Sequence, residues 1–241
     1  LIFLPLLMAA LSAALPSNRL RPWLLPVTGS VHLAMTVFTL AHPDLAVSAA
    51  WLVLDPIGKL ILLVVSTLFM ACSFYAVGYL HNRGERPNRI FCICLLTFLG
   101  LMSLVTWSHH LGLMWVAIEG TTLVTAPLIF FNHTQRSIEA TWKYMLVGSV
   151  GIALALLGTF FLAYAALHTG LETSLHLDDL LEHATQLSKP CLHAAFVLLL
   201  VGLALSNDFL TPRNLFNIVR QTAPIAIIAV GMTFVIISGG I

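Results

Sequence analysis

The sequence predicts an all-α protein, a polytopic transmembrane helix bundle of about eight spans with its N-terminus outside. Three observations carry that prediction. Of its 241 residues, 59% are hydrophobic and 9% are charged, where ordinary soluble domains carry about 25% charged residues. The apolar residues gather in runs approaching the roughly 20 needed to cross a hydrocarbon core. Lys and Arg alternate from one inter-run loop to the next. A net charge of +1, with no basic cluster, gives no footprint for nucleic acid.

The first run, Leu1–Leu15, lacks the positive flank of a signal peptide, and further spans follow it. The chain begins without Met, inside this run, and stops at Gly239-Gly240-Ile241 just after another. It is therefore expected to be truncated at both ends. The next runs are Trp23–Ala41, Ile57–Leu80, Ile90–Trp107 and Leu111–Phe131. Thr141–Leu167 follows; Ser137 is read as the N-cap of its helix, Glu139 falls in the first turn, and the helix is expected to start near Ile138. The short loop before it makes the fifth and sixth spans antiparallel neighbours. Cys191–Leu205 is short, and Thr222–Ile241 is the last. Between the sixth and seventh runs, LHLDDLLEHATQL places Leu175, Leu177, Leu180, Leu181 and Leu187 on one apolar face. That segment reads either as an interfacial amphipathic helix or as a plain surface helix.

Orientation follows from the loops. Arg19 and Arg21 lie in the first, Arg83, Arg86 and Arg89 in the third, Arg136 in the fifth, and Arg213 and Arg220 in the seventh. The second holds Asp44 and Asp55, the fourth has neither Lys nor Arg, and the sixth is acidic apart from Lys189 at its end. The positive-inside rule makes the odd loops cytoplasmic. The expected location is the inner (plasma) membrane of the cell, crossed many times.

Glu119 is the charge that stands out, because Leu111–Phe131 contains no other. An acid at that depth costs about 2.5–3.5 kcal/mol on insertion scales, and such residues mark ion or proton paths. The competing reading is a protonated Glu acting as a structural donor. Lys143 is the next candidate. At 1.5 Å per residue it sits about 9 Å from Glu119 along the membrane normal. The offset fits a relay through water or a third residue; the alternative is a lysine reaching to the cytoplasmic surface. His109 and His110, at the outer mouth of the Glu119 helix, are candidate proton entry or exit groups, or simply exposed. His32 reads as a packed, hydrogen-bonded core histidine. Pro127 is expected to kink its helix. Gly148, Gly151 and Gly158 mark close helix approach. Cys72, Cys92, Cys94 and Cys191 lie in apolar runs without His ligands at zinc spacing, so no metal site is expected.

The stretch LMWVAIEGTTLVTAPLIFFNHTQRSIEATWKYMLVGSVGIALALLGTFFL resembles the antiporter-like, proton-translocating membrane subunits of the complex I superfamily, of the hydrogenase-4 component F and formate hydrogenlyase kind. The likeness runs over about residues 1–202. It implies that Glu119 is the family's buried proton-translocating glutamate and that Lys143 is the Lys before Tyr on the next helix. It also implies a membrane subunit without a redox cofactor, bound to other membrane and peripheral subunits of a hydrogenase or complex I-like assembly. There it would couple electron transfer to proton translocation. The family's further lysine, in a G-x-K-x-G-x-x-P-x-H pattern, is not in this chain. Residues 203–241, with NLFNIVRQTAPIAIIAVGMTFVIISGGI, resemble instead the N-terminal part of a ribose-type sugar ABC transporter permease. The expectation is a chimera joined near Phe196–Leu205. A sugar permease fragment and a structural membrane anchor are the alternative functions.

Overall fold

The computed structural model describes residues 1–42, 51–82, 87–168 and 175–205. Among the described residues eight α-helices follow one another: α1 Phe3–Ala14, α2 Leu24–Ala41, α3 Pro56–Asn82, α4 Arg89–Trp107, α5 Leu111–Ile129, α6 Gln135–Leu167, α7 Leu177–Glu182 and α8 Lys189–Leu205. A 3-10 turn at Arg21–Trp23 leads into α2, and another at Phe130–Asn132 closes α5. Among the described residues there are no strands, only two isolated bridges. Five helices, α2 (with its leading turn) to α6, are long and apolar enough to cross a membrane, while α1 and α8 are apolar but shorter. The eighth expected span, at 222–241, lies outside the described residues.

The apolar runs became helices close to where they were expected, with one shift. Helix α6 begins at Gln135, not near Ile138, and its cap is Thr134 rather than Ser137. Thr134 Oγ1 accepts from Ser137 N–H at 3.1 Å, and Ser137 Oγ accepts from Thr134 N–H at 2.9 Å. This reciprocal capping box satisfies two orphan donors at once, which a lone Ser137 cap would not. The acidic connector also forms less helix than expected. It folds as the short α7, which buries Leu180, and as a turn that buries Leu187, both against Ala165 and Ala166 of α6. Leu181 stays exposed.

The helices form two packed groups. Leu25, Phe69, Ala76, Cys92, Leu96 and Leu99 build the core shared by α1–α4. Helices α6 and α8 pack most closely through glycines: a Cβ on Gly202 would lie 2.7 Å from the Gly151 carbonyl, and one on Gly158 would lie 2.9 Å from Leu199 Cγ. Helices α4 and α5 join the groups, since a Cβ on Gly120 would meet Leu101 Cδ1 at 3.1 Å.

The two ends of the bundle are tied by different chemistry. At one end the second, fourth and sixth loops are cross-linked through backbone. Val53 N–H donates to Trp107 O at 2.9 Å, His109 N–H to Trp51 O at 3.0 Å, and Leu177 N–H to His109 O at 3.1 Å. At the other end, Arg21 is buried in the first loop. It donates to Ser12 O at 3.0 Å, to Asn18 Oδ1 at 2.8 Å, to Asn88 Oδ1 at 2.7 Å and to Leu15 O. Asn88 Nδ2 returns a bond to Asn18 O at 2.7 Å. Even loops gather at one end and the first and third at the other, as spans crossing in alternation require.

Candidate functional site

Trp115, Glu119, Thr122 and Ala126 follow one another at four, three and four residues, the spacing of a single helix face. Three contacts show that this side of α5 meets α6. Trp115 Nε1–H donates to Ile152 O at 2.9 Å, Thr122 Cγ2 lies 3.1 Å from where a Gly148 Cβ would stand, and Thr125 Oγ1 is 2.7 Å from Tyr144 Oη. Together they fix an antiparallel register that sets Glu119 opposite residues 149–151. Those residues are Ser149, Val150 and Gly151. One carboxyl oxygen, Glu119 Oε2, is buried with no hydrogen-bond partner among the described residues. An orphaned buried polar atom costs about 1–3 kcal/mol. Retaining one calls for an explanation such as a proton, a water or a catalytic use.

Lys143 is not brought to Glu119. The same register sets it about 10 Å away along the helix axis, counted as seven residues at 1.5 Å. Its Nζ pairs instead with Glu139 Oε1 at 2.5 Å, one turn earlier on α6, and both side chains are exposed. The offset read from the sequence is present; a direct contact is not.

The two histidines sit at the α5 N-terminus, Glu119 lying nine residues or about 13 Å further in. His109 Nε2 is 3.1 Å from Asp178 Oδ1, tying the fourth loop to α7. His110 is the N-cap of α5: its Nδ1 accepts from Leu113 N–H at 3.3 Å. Its ring stacks on Trp51 at 5.0 Å and meets His176 edge-on at 5.2 Å. An accepting Nδ1 carries a lone pair, so the capping ring is neutral. Partial burial, and secondarily the neighbouring His176, push its pKa below the ordinary histidine value.

One residue does more than its sequence reading gave it, and another holds to that reading. Arg21, counted in the sequence as a loop charge, is a buried clamp on the last carbonyls of α1. His32 is fully buried, with Thr28 and Thr36 buried one turn to either side. Its Nδ1 is 2.9 Å from Ser66 Oγ on α3, and its Nε2 is 2.9 Å from Ser103 Oγ on α4. His32 is thus the packed, hydrogen-bonded core histidine expected from the sequence, and the polar stripe Thr28, His32, Thr36 at every fourth residue is the signal for its neighbours. Among the described residues no group of His, Cys, Asp or Glu is arranged to hold a metal, and all four cysteines are free.

Known proteins are similar to this chain in sequence and in fold. Residues 108–211 match the family described as NADH:quinone oxidoreductase/Mrp antiporter, transmembrane. A hydrogenase-4 component F homolog from Methylacidiphilum infernorum is 28% identical over 209 residues, which is 83% of this chain and 44% of that protein. A chain of the membrane-bound sulfane sulfur reductase, an archaeal respiratory membrane complex, superposes with a TM-score of 0.74 at 17% identity, over 84% of this chain and 43% of its own. A chain of respiratory complex I from Thermus thermophilus superposes with a TM-score of 0.64 at 22% identity, over 83% of this chain and 43% of its own. The chain thus spans under half the length of these proteins. Nothing in these comparisons supports the sugar-permease likeness of 203–241, and residues 206–241 lie outside the described ones. The chain is thus similar in sequence to the NADH:quinone oxidoreductase/Mrp antiporter transmembrane domain over residues 108–211, and similar in fold to chains of two respiratory membrane complexes.

Proposed function

We propose that residues 1–202 are part of a membrane subunit that couples electron transfer, carried out elsewhere in a respiratory or hydrogenase complex, to proton translocation. Glu119 is its protonatable centre. The observation that carries this reading is the buried, unpartnered Glu119 Oε2, on a single acid in an apolar helix within the family-matched segment. A carboxyl with no fixed donor is free to exchange its proton with transient water. A structural carboxylic acid would instead be tied on both oxygens. Lys143, offset along α6, supplies a positive charge whose approach or retreat would bias Glu119 between its two protonation states. His109 and His110 lie at the mouth through which protons would enter or leave.

The subunit would sit in the inner (plasma) membrane beside other membrane and peripheral subunits of a hydrogenase or complex I-like assembly. It would hold no redox cofactor of its own. The test is proton flux in proteoliposomes carrying the parent assembly, with Glu119→Gln compared against the unaltered chain. Loss of flux with electron transfer retained or slowed is the expected result. Unchanged coupling would leave the chain a membrane anchor.

A further inference from the structure

We propose that His32 is a proton relay, separate from Glu119, in which the imidazole switches tautomer between the hydroxyls of Ser66 and Ser103.

The ring is fully buried. Both its nitrogens face neutral hydroxyls at the same 2.9 Å, Ser66 Oγ at Nδ1 and Ser103 Oγ at Nε2. Each serine has a second place for its proton. Ser66 Oγ–H can donate to Leu62 O at 2.6 Å, and Ser103 Oγ–H to Leu99 O at 2.8 Å. A neutral imidazole donates from one nitrogen and accepts at the other. If Nδ1 carries the proton, Ser66 points its hydroxyl at Leu62 and Ser103 points its own at the ring. If Nε2 carries it, the two serines exchange roles. Both arrangements satisfy every group with the same heavy-atom positions; they differ only in which ring nitrogen holds the proton and in how the two hydroxyls are turned. A histidine held purely for structure is ordinarily fixed in one tautomer by a backbone carbonyl or a carboxylate. Among the described residues neither nitrogen has such a partner.

The wire also has length and direction. Thr36 Oγ1 lies 3.1 Å from Ser66 Oγ and can rest its own proton on His32 O at 2.9 Å. Thr36, Ser66, His32 and Ser103 therefore form a continuous chain of four exchangeable groups across α2, α3 and α4. Gly58 of α3 is level with Thr106 of α4, since a Cβ there would be 3.0 Å from Thr106 O. Ser66 lies eight residues from Gly58, and Ser103 three from Thr106. At 1.5 Å per residue, the two serines are displaced by about 7 Å along the helix axis. In one event a proton arriving at Ser103 drives the Ser103 hydroxyl proton onto Nε2, the Nδ1 proton passes to Ser66 Oγ, and the Ser66 hydroxyl proton passes to Thr36 and onward. One proton enters, one leaves, and the ring ends in its other tautomer until a reverse handover resets it. Leu101, which meets Gly120 of α5, is two residues from Ser103 and so about 200° around α4. Helix α4 therefore stands between this wire and Glu119.

The test reads the ring itself. The full chain is labelled with 15N-histidine in lipid bilayers, and the His32 signals are assigned by their loss in His32→Gln. Both tautomers are expected in the unaltered chain, with a single tautomer in Ser66→Ala and in Ser103→Ala. A single tautomer in the unaltered chain overturns the proposal. In proteoliposomes carrying the parent assembly, His32→Gln keeps a donor and an acceptor for the two serines but cannot pass a proton. It is expected to retain its melting temperature and to lower proton flux at least about tenfold. Unchanged flux in that variant overturns the relay even if Glu119→Gln abolishes flux, so the two readings fail separately. If His32→Gln does not fold, the serine variants and the ring spectra decide.

Discussion

Lys143 Nζ rests 2.5 Å from Glu139 Oε1 on its own helix, while the α5–α6 register holds it about 10 Å along the axis from Glu119. The lysine and the buried acid are therefore not a bonded pair. Glu139→Gln removes an exposed partner and is expected to leave the melting temperature unchanged. Glu119→Gln and Lys143→Met should be additive in their effects on stability, because groups that far apart without shared partners do not couple measurably. Strong non-additivity in thermal melting would show that the two do meet.

Glu119→Gln is expected to separate stability from function. The amide has nearly the shape of the acid but no charge to desolvate. The variant should melt at the same or a higher temperature while losing proton flux, as happens where a costly group is kept for activity. A clear loss of stability would indicate that Glu119 is a structural donor.

Arg21 holds the first and third loops together through four donated bonds to Ser12, Leu15, Asn18 and Asn88. Hydrogen bonds to a charged group are worth about 1.5–3 kcal/mol each and do not sum freely. Arg21→Ala is expected to destabilise the bundle by at least about 3 kcal/mol. Arg21→Lys should recover little, because an ammonium lacks the planar fork that reaches four acceptors. Denaturation in mild detergent reads both; near-normal melting of the alanine variant would deny the clamp.

Gly202→Ala tests the contact between α6 and α8. The new Cβ would stand 2.7 Å from the Gly151 backbone carbonyl, which has no side-chain freedom with which to yield. A cost of about 1–3 kcal/mol is expected, with α8 loosened first. Proteolysis confined to the 182–189 connector would report that loosening.

The spans were legible because burial in lipid leaves long apolar runs, and those runs end where helices end. Leu111 begins α5 and Trp107 ends α4, as the pattern places them. Glu119 was legible for the same reason, as a lone charge in such a run. The α6 cap was misplaced because Thr134 and Ser137 both suit an N-cap; only the reciprocal bond distinguishes them. Arg21 was read rightly as a first-loop charge, but its clamp was not legible, because a loop arginine carries the same topology signal whether it faces water or holds carbonyls. The His32 wire needed three helices at once: Ser66 and Ser103 are unremarkable serines until packing brings them to opposite sides of one ring.

His110 predicts a pH response at the α5 N-terminus. Its Nδ1 accepts the Leu113 N–H only while the ring is neutral, and a proton on the ring would also place positive charge at the positive end of the helix dipole. Its pKa is lowered in the fold, chiefly by burial. Between its lowered value and the ordinary histidine value near 6.5, the unfolded chain thus binds more protons than the folded one. By linkage the cap's stability is complete above that ordinary value and falls as pH drops below it. Amide exchange at Leu113, corrected for intrinsic rate, should therefore accelerate between pH 7.5 and pH 5. His110→Asn keeps a capping acceptor that does not titrate in this range and should flatten that dependence. His110→Ala should lose the cap at every pH, at about 1 kcal/mol. If the asparagine variant keeps the full pH dependence, the titrating group is not His110, and the neighbouring His176 becomes the residue to replace.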